Sequence, residues 1–116
     1  MDSKHQETWL TYAKSWSEVD IDKRLQMLQQ SVSPDFVYTD PHIQIATGYD
    51  ALSDYMSEFQ RNTPGGRFDT TNFEEHHKQS LAKWNMVNGE GNILGPGASF
   101  ARYGADGRLI QMTGFF

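Results

Sequence analysis

Apolar residues recur every three or four positions through the first third of the chain. Trp9, Tyr12, Ala13 and Trp16 fall at i, i+3, i+4 and i+7 and predict a helix over about residues 4–18. Ile21, Leu25, Leu28 and Val32 repeat the spacing, so a second helix follows, with Asp22 as its N-cap and a stop before Pro34. From Asp35 the period becomes two: Phe36, Tyr38 and Asp40 share one side of a strand and Val37 and Thr39 the other, until Pro41 restricts the ladder. Gly48 and Asp50 introduce a third helix, capped by Asp50, in which Leu52, Tyr55, Met56 and Phe59 form the apolar stripe. After Pro64, Gly65 and Gly66 the rest reads as strands over about 67–79, 81–87, 98–103 and 109–116. Turns with hairpin chemistry lie at Asn88 to Asn92 and Gly104 to Gly107, and Phe115 with Phe116 marks a final buried strand. Helices first and strands afterwards predict an α+β cone: three helices in the N-terminal half, packed on a curved mixed or antiparallel sheet that encloses a pocket.

Length and composition narrow this further. At 116 residues, the chain suits one domain spanning 1–116. The absence of cysteine removes thiol nucleophiles and thiolate metal sites. A net charge of −5 without any basic block argues against nucleic acid or an anionic membrane as partner. No apolar run approaches the roughly 20 residues that span a bilayer. No basic start leads into an apolar stretch, so a cytoplasmic location is expected. Seven Phe, five Tyr and three Trp are many for so small a core, and pockets for small apolar organic ligands are lined that way.

The chemistry must come from few residues, because nucleophile elbow, Walker loop and dinucleotide fingerprint are all missing. The glycines from Gly89 to Gly97 have no lysine and no helix after them and read as hairpin glycines. His76 and His77 are adjacent and cannot face the same way on a strand, so no metal site is expected. Asp40 is the leading candidate. Alternation places it beside Phe36 and Tyr38, on the helix-covered side, where a charged carboxylate is costly and moves toward the range of a general base. The competing reading has Asp40 and Pro41 starting a turn, the carboxylate bonded to nearby backbone N–H groups.

The order helix, helix, strand ending in Asp40-Pro41, Gly48-led helix, then strands finishing in Asp106-Gly107-Arg108 and Gly114-Phe115-Phe116 resembles the nuclear transport factor 2-like superfamily. Within it, the SnoaL-like polyketide cyclase group is the nearest likeness, with features similar to ketosteroid isomerases. The resemblance implies that Asp40 moves a proton between substrate carbons and that Tyr12 donates to the enolate oxygen. Ser99 stands where ketosteroid isomerases keep a protonated acid, a departure that gives a weaker oxyanion donor. The SnoaL-like likeness brings His76, His77 and Trp84 into the substrate-binding set, with one histidine facing the cavity. A dehydratase-like variant would pair Tyr38 with a histidine. Phe59 and Met112 complete that set. Arg102 lies at opposite parity to Ser99, which ranks epoxide-hydrolase chemistry lower.

Two functions follow as expectations. One is an enzyme of the isomerase, cyclase or dehydratase kind, working without cofactor on a small apolar carbonyl compound. The other is a non-catalytic ligand-binding or dimerisation module of the same fold. Leu109, Met112 or Phe115 exposed on the sheet would leave an apolar patch, which predicts a homodimer through the open sheet face.

Overall fold

A computed structural model describes residues 3–46 and 48–116. Helix α1 (Lys4–Ser15) starts at Ser3, whose hydroxyl accepts from the Gln6 amide, and closes with Trp16 as C-cap. Helix α2 (Ile21–Ser31) is capped by Asp20 rather than Asp22, the Asp20 carboxylate accepting from the Lys23 amide at 3.1 Å. Its buried face carries Arg24, Leu28 and Ser31, and Ile21 is 47% exposed, against the expectation that Ile21 belongs to the apolar stripe.

Strand β1 (Val32–Asp40) follows α2 without a gap and turns through Pro41 and His42 into β2 (Ile43–Ala46), a four-residue strand that the sequence pattern did not reveal. Helix α3 (Tyr49–Asn62) has Gly48 at its N-cap with φ 95° and no side-chain cap bond. Asp50 therefore lies in the first turn, where its charge suits the helix N-terminus, instead of capping it. The remaining strands are β3 (Arg67–His76), β4 (Gln79–Val87), β5 (Ile93–Tyr103) and β6 (Leu109–Phe115).

The six strands form one open sheet in the order β2-β1-β6-β5-β4-β3. All neighbours are antiparallel except β1 and β6, which pair in parallel and make the sheet mixed. The core includes Leu28, Phe36, Leu52, Met56, Leu109 and Met112, all almost wholly buried between helices and sheet. Leu109 and Met112 thus point inward and do not form the outer patch expected of them. Phe115 faces out, 60% exposed, and Phe116 is also exposed, while β6 itself lies between β1 and β5 with Leu109, Met112 and Gly114 buried. No helix among the described residues is long and apolar enough to cross a membrane.

Candidate functional site

Both α1 and α3 stand off the inner face of the sheet at one end, leaving a cavity of about 340 Å³. Aromatic rings make most of its wall: Trp9, Tyr12 and Trp16 from α1 and its cap, Tyr55 and Phe59 from α3, Tyr38, Phe68 and Trp84 from the strands, and Phe116 at the chain end. Trp16 lies 5.6–5.9 Å, centre to centre, from Tyr38, Tyr55, Phe59 and Phe68, spacings at which edge and tilted ring pairs attract. Polar atoms are few. Asp40, Ser99, Thr70, His42, Glu58 and Asn62 supply them.

Asp40 is held from three sides. Its Oδ2 accepts from the Tyr38 hydroxyl at 2.6 Å and from the Tyr55 hydroxyl at 2.7 Å, while Oδ1 accepts from the His42 amide at 2.8 Å. Tyr38 reaches it because residues two apart on a strand share a face. Tyr55 reaches it because the stripe of α3 packs over that face. The inward carboxylate and the turn-forming carboxylate therefore coexist, one oxygen serving each purpose. The backbone bond fixes the side chain at the strand end, and the phenols aim the other oxygen along the wall.

Those phenols are poor acids. Burial pushes the Tyr12 hydroxyl well above its ordinary value, a Trp16 hydrogen bond acts the other way, and Asp40 and Tyr55 add to the rise. Tyr38 is raised by burial first, then by Tyr12 and by the hydrogen bond and charge of Asp40; Tyr55 is raised by burial and then by Asp40. All three remain protonated donors at neutral pH.

The sequence-expected residues divide cleanly. Asp40, Tyr12, Tyr38, Trp84, Ser99 and Phe59 meet at the cavity. His76 and His77 do not. Strand β3 ends at His76, and His77 with Lys78 takes positive φ (51° and 59°) in a tight turn to β4, leaving both imidazoles exposed beyond the sheet. Their Nδ1 atoms lie 3.1 Å from each other and away from the site. Met112 is buried in the core beside Tyr38, its register partner, and lines no part of the cavity. Arg102 is exposed, as its parity required.

Ser99 is already engaged, accepting from the Trp84 indole at 3.0 Å. That indole lies directly on Gly97, where an added Cβ would come within 2.2 Å of the ring. Gly97 is thus a close-approach glycine inside β5 and not a turn residue, a correction to the hairpin reading of this stretch. Tyr55, Trp9, Trp16, Phe68 and Phe116 were not singled out for the site. The signals in the sequence are the helical stripe spacing for Trp9, Trp16 and Tyr55, and the aromatic share alone for Phe68 and Phe116. Among the described residues, no three His, Asp or Glu side chains cluster as metal ligands.

Residues 11–112 match the family model of the SnoaL-like domain. A SnoaL-like family protein of Agrobacterium tumefaciens, to which an isomerase activity is ascribed, superposes with a TM-score of 0.87 at 22% identity, over 97% of this chain and 96% of that one. TerC, crystallised with polyporic acid, gives 0.77 at 14% identity over 98% and 92%. A protein of ketosteroid isomerase-like fold from Catenulispora acidiphila, in complex with trimethylamine, gives 0.75 at 14% identity over 95% and 85%. These likenesses establish the cone-shaped α+β fold. No curated protein matches the chain in sequence.

Proposed function

The chain belongs to the SnoaL-like domain family, and from that premise we propose that it is a proton-transfer enzyme of the isomerase, cyclase or dehydratase type. It acts without cofactor on a small apolar carbonyl compound. The observation that carries this reading is the Asp40 carboxylate, set in the wall of an aromatic cavity and held there by two phenols and one amide. A carboxylate offers about four lone-pair sites, and with both phenols on Oδ2 the one left for a substrate proton is on Oδ1, beside the His42 amide. The proton leaves the carbon next to the carbonyl for Asp40, and the electron pair moves onto the carbonyl oxygen. Tyr12, kept protonated by its burial, donates to that oxygen. Return of that proton at another carbon isomerises the substrate, its delivery to a departing β-hydroxyl releases water, and its delivery to the alkoxide formed when the enolate attacks a second carbonyl completes a cyclisation. That two neighbours of the same fold hold small organic ligands supports the cavity as the binding site.

A second reading has its own support. Asp40 already accepts from two phenols and a backbone amide of the protein itself, an arrangement that also suits a module that binds its ligand without turnover. Exchange of α-protons for deuterium in a panel of small ketones, followed by NMR, separates the two. Catalysis predicts exchange that falls by about 10²–10⁴ in Asp40→Asn with the fold intact. Equal exchange in both proteins removes Asp40 as base.

We further propose a homodimer through the outer sheet face, where Phe115 and Leu81 are exposed, 60% and 39%. Light scattering at micromolar concentration tests this, and a monomer contradicts it.

A further inference from the structure

We infer that the cavity prefers ligands carrying a protonated amine or quaternary ammonium group on an apolar skeleton over neutral isosteres, and neutral isosteres over carboxylates. The inference rests on reading the Asp40 cavity as the ligand site, and does not require Asp40 to be the base.

The charges around the cavity are all of one sign. None of the ten Lys and Arg residues lines it, whereas Asp40 and Glu58 both do. His42 is the one lining group able to become cationic. Ion pairs among the described residues are His5–Glu75, Arg67–Asp69 and Arg108–Asp106, so Asp40 has neutral partners only. Hydrogen bonds from two phenols and an amide disperse its charge without cancelling it. A carboxylate held against apolar rings has lost part of its hydration, and an entering cation offsets that loss where a neutral group does not.

The rings add a second attraction of the same sign, because the faces of Trp and Tyr are electronegative and draw ammonium groups. Trp9, Trp16, Trp84, Tyr12, Tyr38 and Tyr55 all contribute to the wall. An anionic ligand meets the reverse on every side. The raised tyrosines report the same field, since Asp40 stands behind burial among the causes at Tyr12, Tyr38 and Tyr55, and Glu58 also acts on Tyr55.

All three tryptophans of the chain line the cavity, so intrinsic fluorescence reads its occupancy directly. Phenyltrimethylammonium, its isostere tert-butylbenzene, and benzoate are titrated in turn. The expected result is ammonium bound about tenfold more tightly than the neutral isostere, with benzoate weakest. In Asp40→Asn and in the exposed-site variant Glu58→Gln, both checked for folding by circular dichroism, the ammonium advantage shrinks while tert-butylbenzene binds as before. Equal affinity for ammonium and isostere, or benzoate binding most tightly, overturns the charge preference and leaves the cavity standing as a ligand site. Failure of all three probes to bind overturns the preference together with the site.

Discussion

Arg24 and Asp40 carry opposite charges, and among the described residues neither has an ionic partner; each is held by neutral groups. Arg24 is 1% exposed, and its guanidinium donates to the Glu18 carbonyl twice (2.9 and 2.7 Å), to the Ser53 carbonyl at 2.8 Å, and to the hydroxyls of Ser53 and Ser57. Asp40 is only partly buried and takes two phenols and an amide. The bonding device is the same, but the neighbourhood differs. Arg24 fills the space between α2, α3 and the α1–α2 loop and has no room beside it, so it acts as a cross-brace. Asp40 adjoins an open cavity, so whatever negative charge its donors leave is available to a ligand. A buried charge says little about function until the space next to it is known.

The largest effect that tests this contrast is at the brace. Arg24→Met keeps the volume but removes the donor to the Glu18 carbonyl and to the Ser53 and Ser57 hydroxyls. Hydrogen bonds to a charged group are worth about 1.5–3 kcal/mol each, so losing this set should cost at least that much. Urea unfolding should show that loss, while phenyltrimethylammonium affinity per folded molecule stays at the wild-type value. A variant of unchanged stability would remove Arg24 from its bracing role.

Half of this contrast could be read from the sequence. Alternation along Phe36, Tyr38 and Asp40 turns the acid inward, because the period of two holds over this end of β1, past the irregularity between Val32 and Val37. Arg24 was missed because nothing local marks an arginine as buried, and assuming it exposed shifted the expected face of α2 by one position. Strand β2 was too short to show a period. The histidines misled for a related reason: parity tells which side a strand residue faces, not where the strand ends, and β3 ends at His76. Tyr55, Trp9 and Trp16 read from their spacing as apolar helix-stripe residues. Only three-dimensional packing divides such residues between core and cavity wall, and the parallel pairing of β1 with β6 is equally non-local.

A smaller effect concerns the donors around Asp40. Every tyrosine in the chain is raised, burial coming first in each case: Tyr12, Tyr38, Tyr49, Tyr55, and Tyr103, which is pushed up to about 12. A folded pKa above the unfolded value of about 10 means that the stability from these phenols is fully present below pH 10. It is lost as pH rises through the folded values. Phenolate absorbance should therefore stay flat through pH 10 and then rise together with unfolding followed by circular dichroism. A phenol at Tyr38 or Tyr55 that ionises near its ordinary value, in a protein still folded, would break the account of how Asp40 is held.

The finest test takes one partner from each charge. Tyr55 and Ser57 are two residues apart on α3, the first donating to Asp40 and the second accepting from Arg24 at 2.7 Å. Tyr55→Phe and Ser57→Ala each delete one hydrogen bond and should each cost about 1 kcal/mol in urea unfolding. Stability alone does not tell them apart, but ligand charge does. With Tyr55 gone, Asp40 keeps Tyr38 and the His42 amide and presents a less dispersed charge to the cavity, so the preference for ammonium over its neutral isostere increases. Ser57→Ala changes nothing that a ligand meets and leaves that ratio where it was. If the two variants moved the ratio equally, the cavity would be sensing the packing of α3 rather than the charge of Asp40, and the distinction between brace and site would fail.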